Sequence, residues 1–222
     1  MRFFLSFFIV VFISCQQQKT TSSGADSAAF DQSSSNLGTH ENSDQITCWG
    51  IGSIELGDDL PALEEKLGKD NLVQDSLMLE GMFEGLITKA WRGTSREITI
   101  VWKEKKAPFN TIDYLEISQP NAPYAFANGI KIGTTLKEIE KMNGKSLKLY
   151  GFGWDYGGTF VSFDKGKLAG EIPCFGGVFS LEAEQDSEEL RAIMGDQEIS
   201  STHPSFDKYQ VKLAKIRVVN KG

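Results

Sequence analysis

Apolar residues crowd the first stretch of the chain, thin out over the second, and return in short periodic groups over the rest. Residues 3–13 are apolar except for Ser6, behind a basic start at Arg2. That run is too short to cross a bilayer, which takes about 20 apolar residues in a helix. Its basic start, apolar middle and small residue Ser14 match the anatomy of a secretory signal, expected over 1–14. Residues 16–45, with Gln16-Gln17-Gln18 and Ser33-Ser34-Ser35, carry only scattered apolar side chains such as Phe30 and Leu37. Such composition does not offset chain entropy, so 15–45 is expected to act as an unstructured polar tether. As a flexible coil it spans about 30 Å.

From Ile46 onward the pattern predicts folded structure, and one part of it occurs twice. Ile54-Glu55-Leu56-Gly57-Asp58-Asp59-Leu60-Pro61 aligns without gaps with Ile130-Lys131-Ile132-Gly133-Thr134-Thr135-Leu136-Lys137. The match runs on to Gly68-Lys69 and Gly144-Lys145. Each copy reads as a short strand, a glycine turn, a capped helix and a glycine stop. Asp59 and Thr135 are suitable N-caps, Thr135 with Glu138 forms a capping box, and Pro61 fits a first turn. Leu60, Leu63 and Leu67 recur at helical spacing, as do Leu136 and Ile139. Strands are predicted over 76–83, 86–91, 97–104 and 111–118, with Ile98, Ile100 and Trp102 on one apolar face. In the second half, 147–156 and 159–164 read as a hairpin about Gly157-Gly158. Further strands are expected over 177–184 and 209–220, with a short helix over 187–194 between them. The expected class is α+β: a tandem repeat of strand–helix plus antiparallel-sheet units, over 46–125 and 126–222, with helices packed on one sheet face.

Phe12-Ile13-Ser14-Cys15 resembles the lipobox of bacterial lipoproteins, although Phe12 stands where leucine is preferred. That resemblance implies cleavage before Cys15, lipidation of its thiol and acylation, palmitate included, of the new amino terminus. Gln16, where an aspartate would act in sorting, implies delivery to the outer membrane, with the folded part facing the periplasm. The doubled strand–Gly–helix–Gly opening resembles the β-lactamase-inhibitor-protein fold and the small outer-membrane assembly lipoproteins. Gly129-Ile130-Lys131-Ile132-Gly133-Thr134-Thr135-Leu136 with Gly151-Phe152-Gly153-Trp154-Asp155-Tyr156-Gly157-Gly158 resembles uncharacterised bacterial lipoproteins. These likenesses cover about 46–167 and imply a fold and an envelope address, with no catalytic residues to carry over.

The formal charge of −7 becomes about −8 once Arg2 is removed, and lysines and arginines form no phosphate-tracking stripe. Nucleic acid is therefore not an expected partner. With Cys15 taken by lipid, Cys48 and Cys174 form one pair, and an oxidising compartment favours a disulfide between them. Metal binding is the rival use, with only His40 and His203 to supply imidazole.

The segment Gly151 to Gly158 fails as a dinucleotide cradle, because a strand rather than a helix comes after it. With a two-residue turn at Gly157-Gly158, Tyr156 would pair with Thr159, Trp154 with Val161, and Phe152 with Phe163. Tyr150, Phe152, Trp154 and Tyr156 would then share a face, either core beneath a helix or a recognition surface, with Asp155 opposite. No Ser/His/Asp or Cys/His constellation can be assembled, and Asp58-Asp59 and Glu64-Glu65 read as helix-start and solvent-face acids. No metal, cofactor or enzymatic activity is expected. The expected function is a lipid-anchored, non-catalytic module that binds an envelope protein, with an envelope hydrolase or a small-ligand carrier as alternatives. Cys15→Ser should abolish acylation: mass analysis of the processed protein should find an acylated Cys15 terminus in the natural chain and none in the variant.

Overall fold

The computed structural model describes residues 44–182 and 185–220. The expected signal, Cys15, His40 and the tether up to residue 43 lie outside the described residues, as does the end of the strand expected over 177–184. The strands, in chain order, are β1 (Gln45–Thr47), β2 (Gly50–Ile51), β3 (Ile54–Glu55), β4 (Leu72–Leu79), β5 (Met82–Ala90), β6 (Ile98–Trp102), β7 (Ile112–Ile117) and β8 (Ala125–Phe126). They continue with β9 (Lys148–Tyr150), β10 (Phe160–Ser162), β11 (Phe175–Leu181), β12 (Glu198–Ser200) and β13 (Val211–Val219). The helices are α1 (Leu60–Leu67), α2 (Leu136–Asn143), α3 (Leu168–Glu171) and α4 (Glu188–Arg191).

The mixed α+β class is therefore present, with predominantly antiparallel strands and few helices. A six-stranded antiparallel sheet in the order β11-β13-β7-β6-β5-β4 forms the centre. Strands β3-β2-β1-β8 form a second sheet, with β1 and β8 parallel, and β10-β9-β12 form a third. The boundary expected at 125/126 does not separate sheets. It falls inside β8, and β13 from the later half pairs with β7 from the earlier one. Without that pairing the edge of β7 would expose a row of backbone donors and acceptors.

The pleat of the central sheet sorts the sequence by twos. Across one row, Phe175 lies opposite Val218, Val218 opposite Leu115, Leu115 opposite Ile100, and Ile100 opposite Thr88. All five are buried, and Thr88 accepts a 3.0 Å hydrogen bond from the Trp102 indole. The row one residue along faces the other way: Arg217 beside Glu116, then Thr99, then Lys89. Here the Arg217 Nε–Glu116 Oε2 distance is 2.6 Å, and Lys89 reaches Asp75 at 3.3 Å. The alternation expected for Ile98, Ile100 and Trp102 is observed, although Val101 is buried too.

Both capped helices form where expected. Asp59 accepts from the Ala62 amide at 2.8 Å, and α1 stops at Gly68, whose φ is 81°. Thr135 and Glu138 make the reciprocal capping box, and α2 stops at left-handed Gly144. The Thr135 backbone amide, donating to Glu138, holds that carboxyl below the usual range. Leu63, Leu136 and Ile139 enter the same core as the inner face of the central sheet. Asn143, aligned with Leu67 in the sequence repeat, is buried. Its amide nitrogen donates to the Lys145 and Phe163 carbonyls, and its oxygen accepts from the Leu168 amide, so the polar head is satisfied.

One predicted strand boundary is corrected. The segment expected as a single strand over 76–83 turns back on itself at Glu80-Gly81, both at positive φ, so that Leu79 pairs with Met82. Positive φ at both central residues is what a two-residue hairpin turn of the primed type requires. Cys48 and Cys174 are joined as a disulfide, with their Cα atoms 5.3 Å apart, which decides against metal ligation by this pair. The bridge ties the end of β1 to the start of β11 across 126 residues of sequence. Replacing both cysteines with serine should cost about 2–5 kcal/mol, read as a lowered midpoint in urea unfolding.

Candidate functional site

Tyr150 ends β9, and the chain then leaves the sheet. Phe160 pairs with Leu149, and the Tyr150 amide donates to Thr159 O at 2.9 Å, so residues 151–158 form a loop. The two-residue turn at Gly157-Gly158 and its pairings of Tyr156, Trp154 and Phe152 with Thr159, Val161 and Phe163 are not observed. Other partners take the backbone groups that such a hairpin would have used. The Phe152 amide donates to Ile193 O at 2.9 Å, its carbonyl accepts from Gly195 at 2.8 Å, and Gly158 O accepts from Phe179 at 2.8 Å.

Two glycines make this path passable. A Cβ on Gly158, whose φ is +71°, would lie 2.1 Å from the Phe179 carbonyl oxygen; one on Gly151 would lie 2.5 Å from Gly195 O. Both sites allow the close backbone approach that only glycine permits. The loop is fixed from below by Phe152, which is buried and meets Phe206 edge to face at 6.3 Å. It is fixed from within by the Trp154 indole, which donates to Gly151 O at 3.0 Å.

The five expected binding residues therefore divide. Phe152 belongs to the core. Tyr150 is half-buried, Asp155 is exposed, and Trp154 and Tyr156 are 37% and 41% exposed. Tyr150 and Tyr156 both pack edgewise on Trp154, with ring centres 5.8 Å and 5.2 Å away. Met194 adds an exposed apolar side chain next to Gly153. The result is a small, rigid aromatic patch on the surface. Rigid aromatic side chains lose little entropy on contact and carry much of the energy of protein recognition.

A second exposed apolar group was not apparent from sequence. Met78, Leu79, Met82 and Phe83, each 42–63% exposed, flank the Glu80-Gly81 turn at the tip of the β4–β5 hairpin. Pairing of β5 with β6 covers only Ile87 to Ala90, so the tip extends past that ladder. The available signal was a run of apolar residues on both sides of a glycine, which the single predicted strand concealed.

Three of the groups that could serve acid–base chemistry are engaged in the framework. The Glu189 carboxyl is held down at about 2 by its hydrogen bond from Lys208. A carboxyl kept ionised in this way is the opposite of a general acid, which needs a raised pKa. His203 uses Nδ1 to accept the Ser205 amide at 3.2 Å and so starts a short 3₁₀ turn. Asp58 accepts from the Glu55 amide and pairs with Lys66 at 2.6 Å. Among the described residues no group of three His, Cys, Asp or Glu side chains is placed to hold a metal, and no helix is long and apolar enough to cross a membrane.

No protein-family pattern and no curated protein matches the chain. Among solved structures it is similar to the crystal structure of the uncharacterized protein yfeY from Escherichia coli. The identity is 14%, the likeness covers 79% of this chain and 99% of that one, and the TM-score is 0.46.

The loop geometry separates framework from surface. Gly158→Ala should lower stability by about 1–3 kcal/mol through overpacking against Phe179. Tyr156→Ala should change it by about 0.5 kcal/mol or less, as for exposed positions in general. Chemical denaturation of the two variants measures the contrast.

Proposed function

We propose that this chain is a lipid-anchored envelope protein that acts without catalysis, by binding a protein partner. The observation that carries this reading is the aromatic patch of Tyr150, Trp154 and Tyr156 on a loop whose backbone is locked by Gly151 and Gly158. A rigid, partly exposed Trp–Tyr group pre-pays the ordering that association otherwise costs. Attachment through an acylated Cys15, removal of 1–14, and an outer-membrane position facing the periplasm belong to the same proposal. The lipobox-like Phe12-Ile13-Ser14-Cys15 and the polar stretch after it support them. The Cys48–Cys174 disulfide suits an oxidising compartment.

We also propose that the two halves descend from one duplicated strand–helix unit, with each helix laid on a sheet face. In support, α1 and α2 share cap position, length and a glycine stop, and both send apolar side chains into the core. Beyond these paired openings the two halves diverge: a four-strand meander comes after α1, and strands divided between two sheets come after α2.

The test is affinity capture from detergent-solubilised envelopes, using the natural chain and a Trp154→Ala/Tyr156→Ala variant of equal thermal midpoint. A discrete protein retained by the first and reduced more than tenfold with the second is the expected result. Equal recovery by both chains would overturn the assignment of the patch.

A further inference from the structure

The carboxyl-terminal half of α2 borders a pocket of about 550 Å³ that the aromatic patch does not share. Lysines stand at every fourth position along it: Lys137 and Lys141 in the helix, then Lys145 just past its glycine stop. Ser146, Thr202 and His203 also line it. Two carboxylates also line the pocket. Asp207 is engaged by Lys137 at 2.7 Å, and Glu140 opposes one further charge. Lys141 and Lys145 make no ion pair among the described residues.

Three lysines so placed, in a chain of formal charge −7, need an account. Like charges four residues apart on a helix repel one another. The helix dipole explains a cation in the last turn, such as Lys141. Lys137 in the first turn is accounted for by its pair with Asp207, which leaves Lys145, beyond the cap, without such an account. The surroundings are also fixed in place. Asn143 donates to the carbonyls of Lys145 and Ser146 from its buried position, and the Leu147 amide is held by the buried Ser201 hydroxyl at 2.8 Å. His203 accepts the Ser205 amide through Nδ1, which leaves Nε2 as the ring's donor.

We infer that this pocket is an anion site that takes a phosphate group carried on a larger molecule. Lys141 and Lys145 supply the charge and His203 Nε2 a directed donor; the Ser146 hydroxyl donates to Asp164 at 3.3 Å and the Thr202 hydroxyl bonds Ser200 at 2.8 Å, so either would have to turn from its partner to join them. The volume exceeds what a bare phosphate fills and lies in the range of small-molecule sites. A phosphate of this kind arrives either on a lipid headgroup or on a soluble phosphoester, and the two are distinguished by the probe.

The experiment uses the full chain carrying Cys15→Ser, so that an acyl anchor cannot contribute. Isothermal calorimetry with pyrophosphate is run beside flotation with phosphatidylcholine vesicles, with and without phosphatidic acid. The expected result is saturable binding to one or both probes, weakened more than tenfold by Lys141→Glu/Lys145→Glu and unchanged by Lys105→Glu on a distant loop. Pyrophosphate binding without flotation identifies a soluble ligand; flotation that needs phosphatidic acid identifies a lipid headgroup. If the charge-reversed chain does not fold, Lys141→Gln/Lys145→Gln serves in its place. Absence of saturable binding to either probe, or binding undiminished in the lysine variants, would overturn the inference.

Discussion

The pairing of β13 with β7 is the constraint on which the rest of the molecule depends. It places a strand from the end of the chain against one from its middle, with Ile216 opposite Ile117 and Val218 opposite Leu115. Both faces of the central sheet take their character from this register. Slipping it by one residue would turn Ile216 and Val218 outward and bury Arg217. Once it is set, β11 adds on the far side, and Phe175 and Phe179 complete the inner surface. The aromatic loop is fixed in turn, because Phe179 donates the hydrogen bond that holds Gly158. Packing at the sheet centre is thereby transmitted to a surface feature at its edge.

Elements with strong local signals were legible in the sequence. Caps at Asp59 and Thr135, stops at Gly68 and Gly144, and the alternation through Ile98, Ile100 and Trp102 are written in neighbouring residues, and the structure contains them. Features set by long-range contact were not. The hairpin turn at Gly157-Gly158 is the natural local reading. Contact with Ile193, Gly195 and Phe179, residues remote in sequence, displaces it. The Glu80-Gly81 turn was missed because glutamate is an uncommon first residue there, and its positive φ is not signalled by its side chain.

The candidate site shows the same division. Trp154, Asp155 and Tyr156 lie on the surface, and Phe152 is core, so neither all-core nor all-surface describes the segment. Alternation gives two faces only where a strand persists, and here it ends at Tyr150. The lysines at 137, 141 and 145 were visible as residues, but the pocket they line also draws on 201–203. Nothing near the helix foretells that juxtaposition.

The position of the disulfide has a mechanical consequence. Any pull entering through the amino-terminal segment meets the described fold at Asp44 and, once β1 has given way, reaches a covalent link at Cys48. From there the load passes straight to Cys174 and β11, whose ladder with β13 runs from Phe175 to Leu181. The residues between the two cysteines, α1, the hairpin tip, the α2 lysines and the aromatic loop among them, lie inside the closed loop and are bypassed. A chain held by its beginning would therefore carry tension through one edge of its central sheet and spare the segments enclosed between the two cysteines.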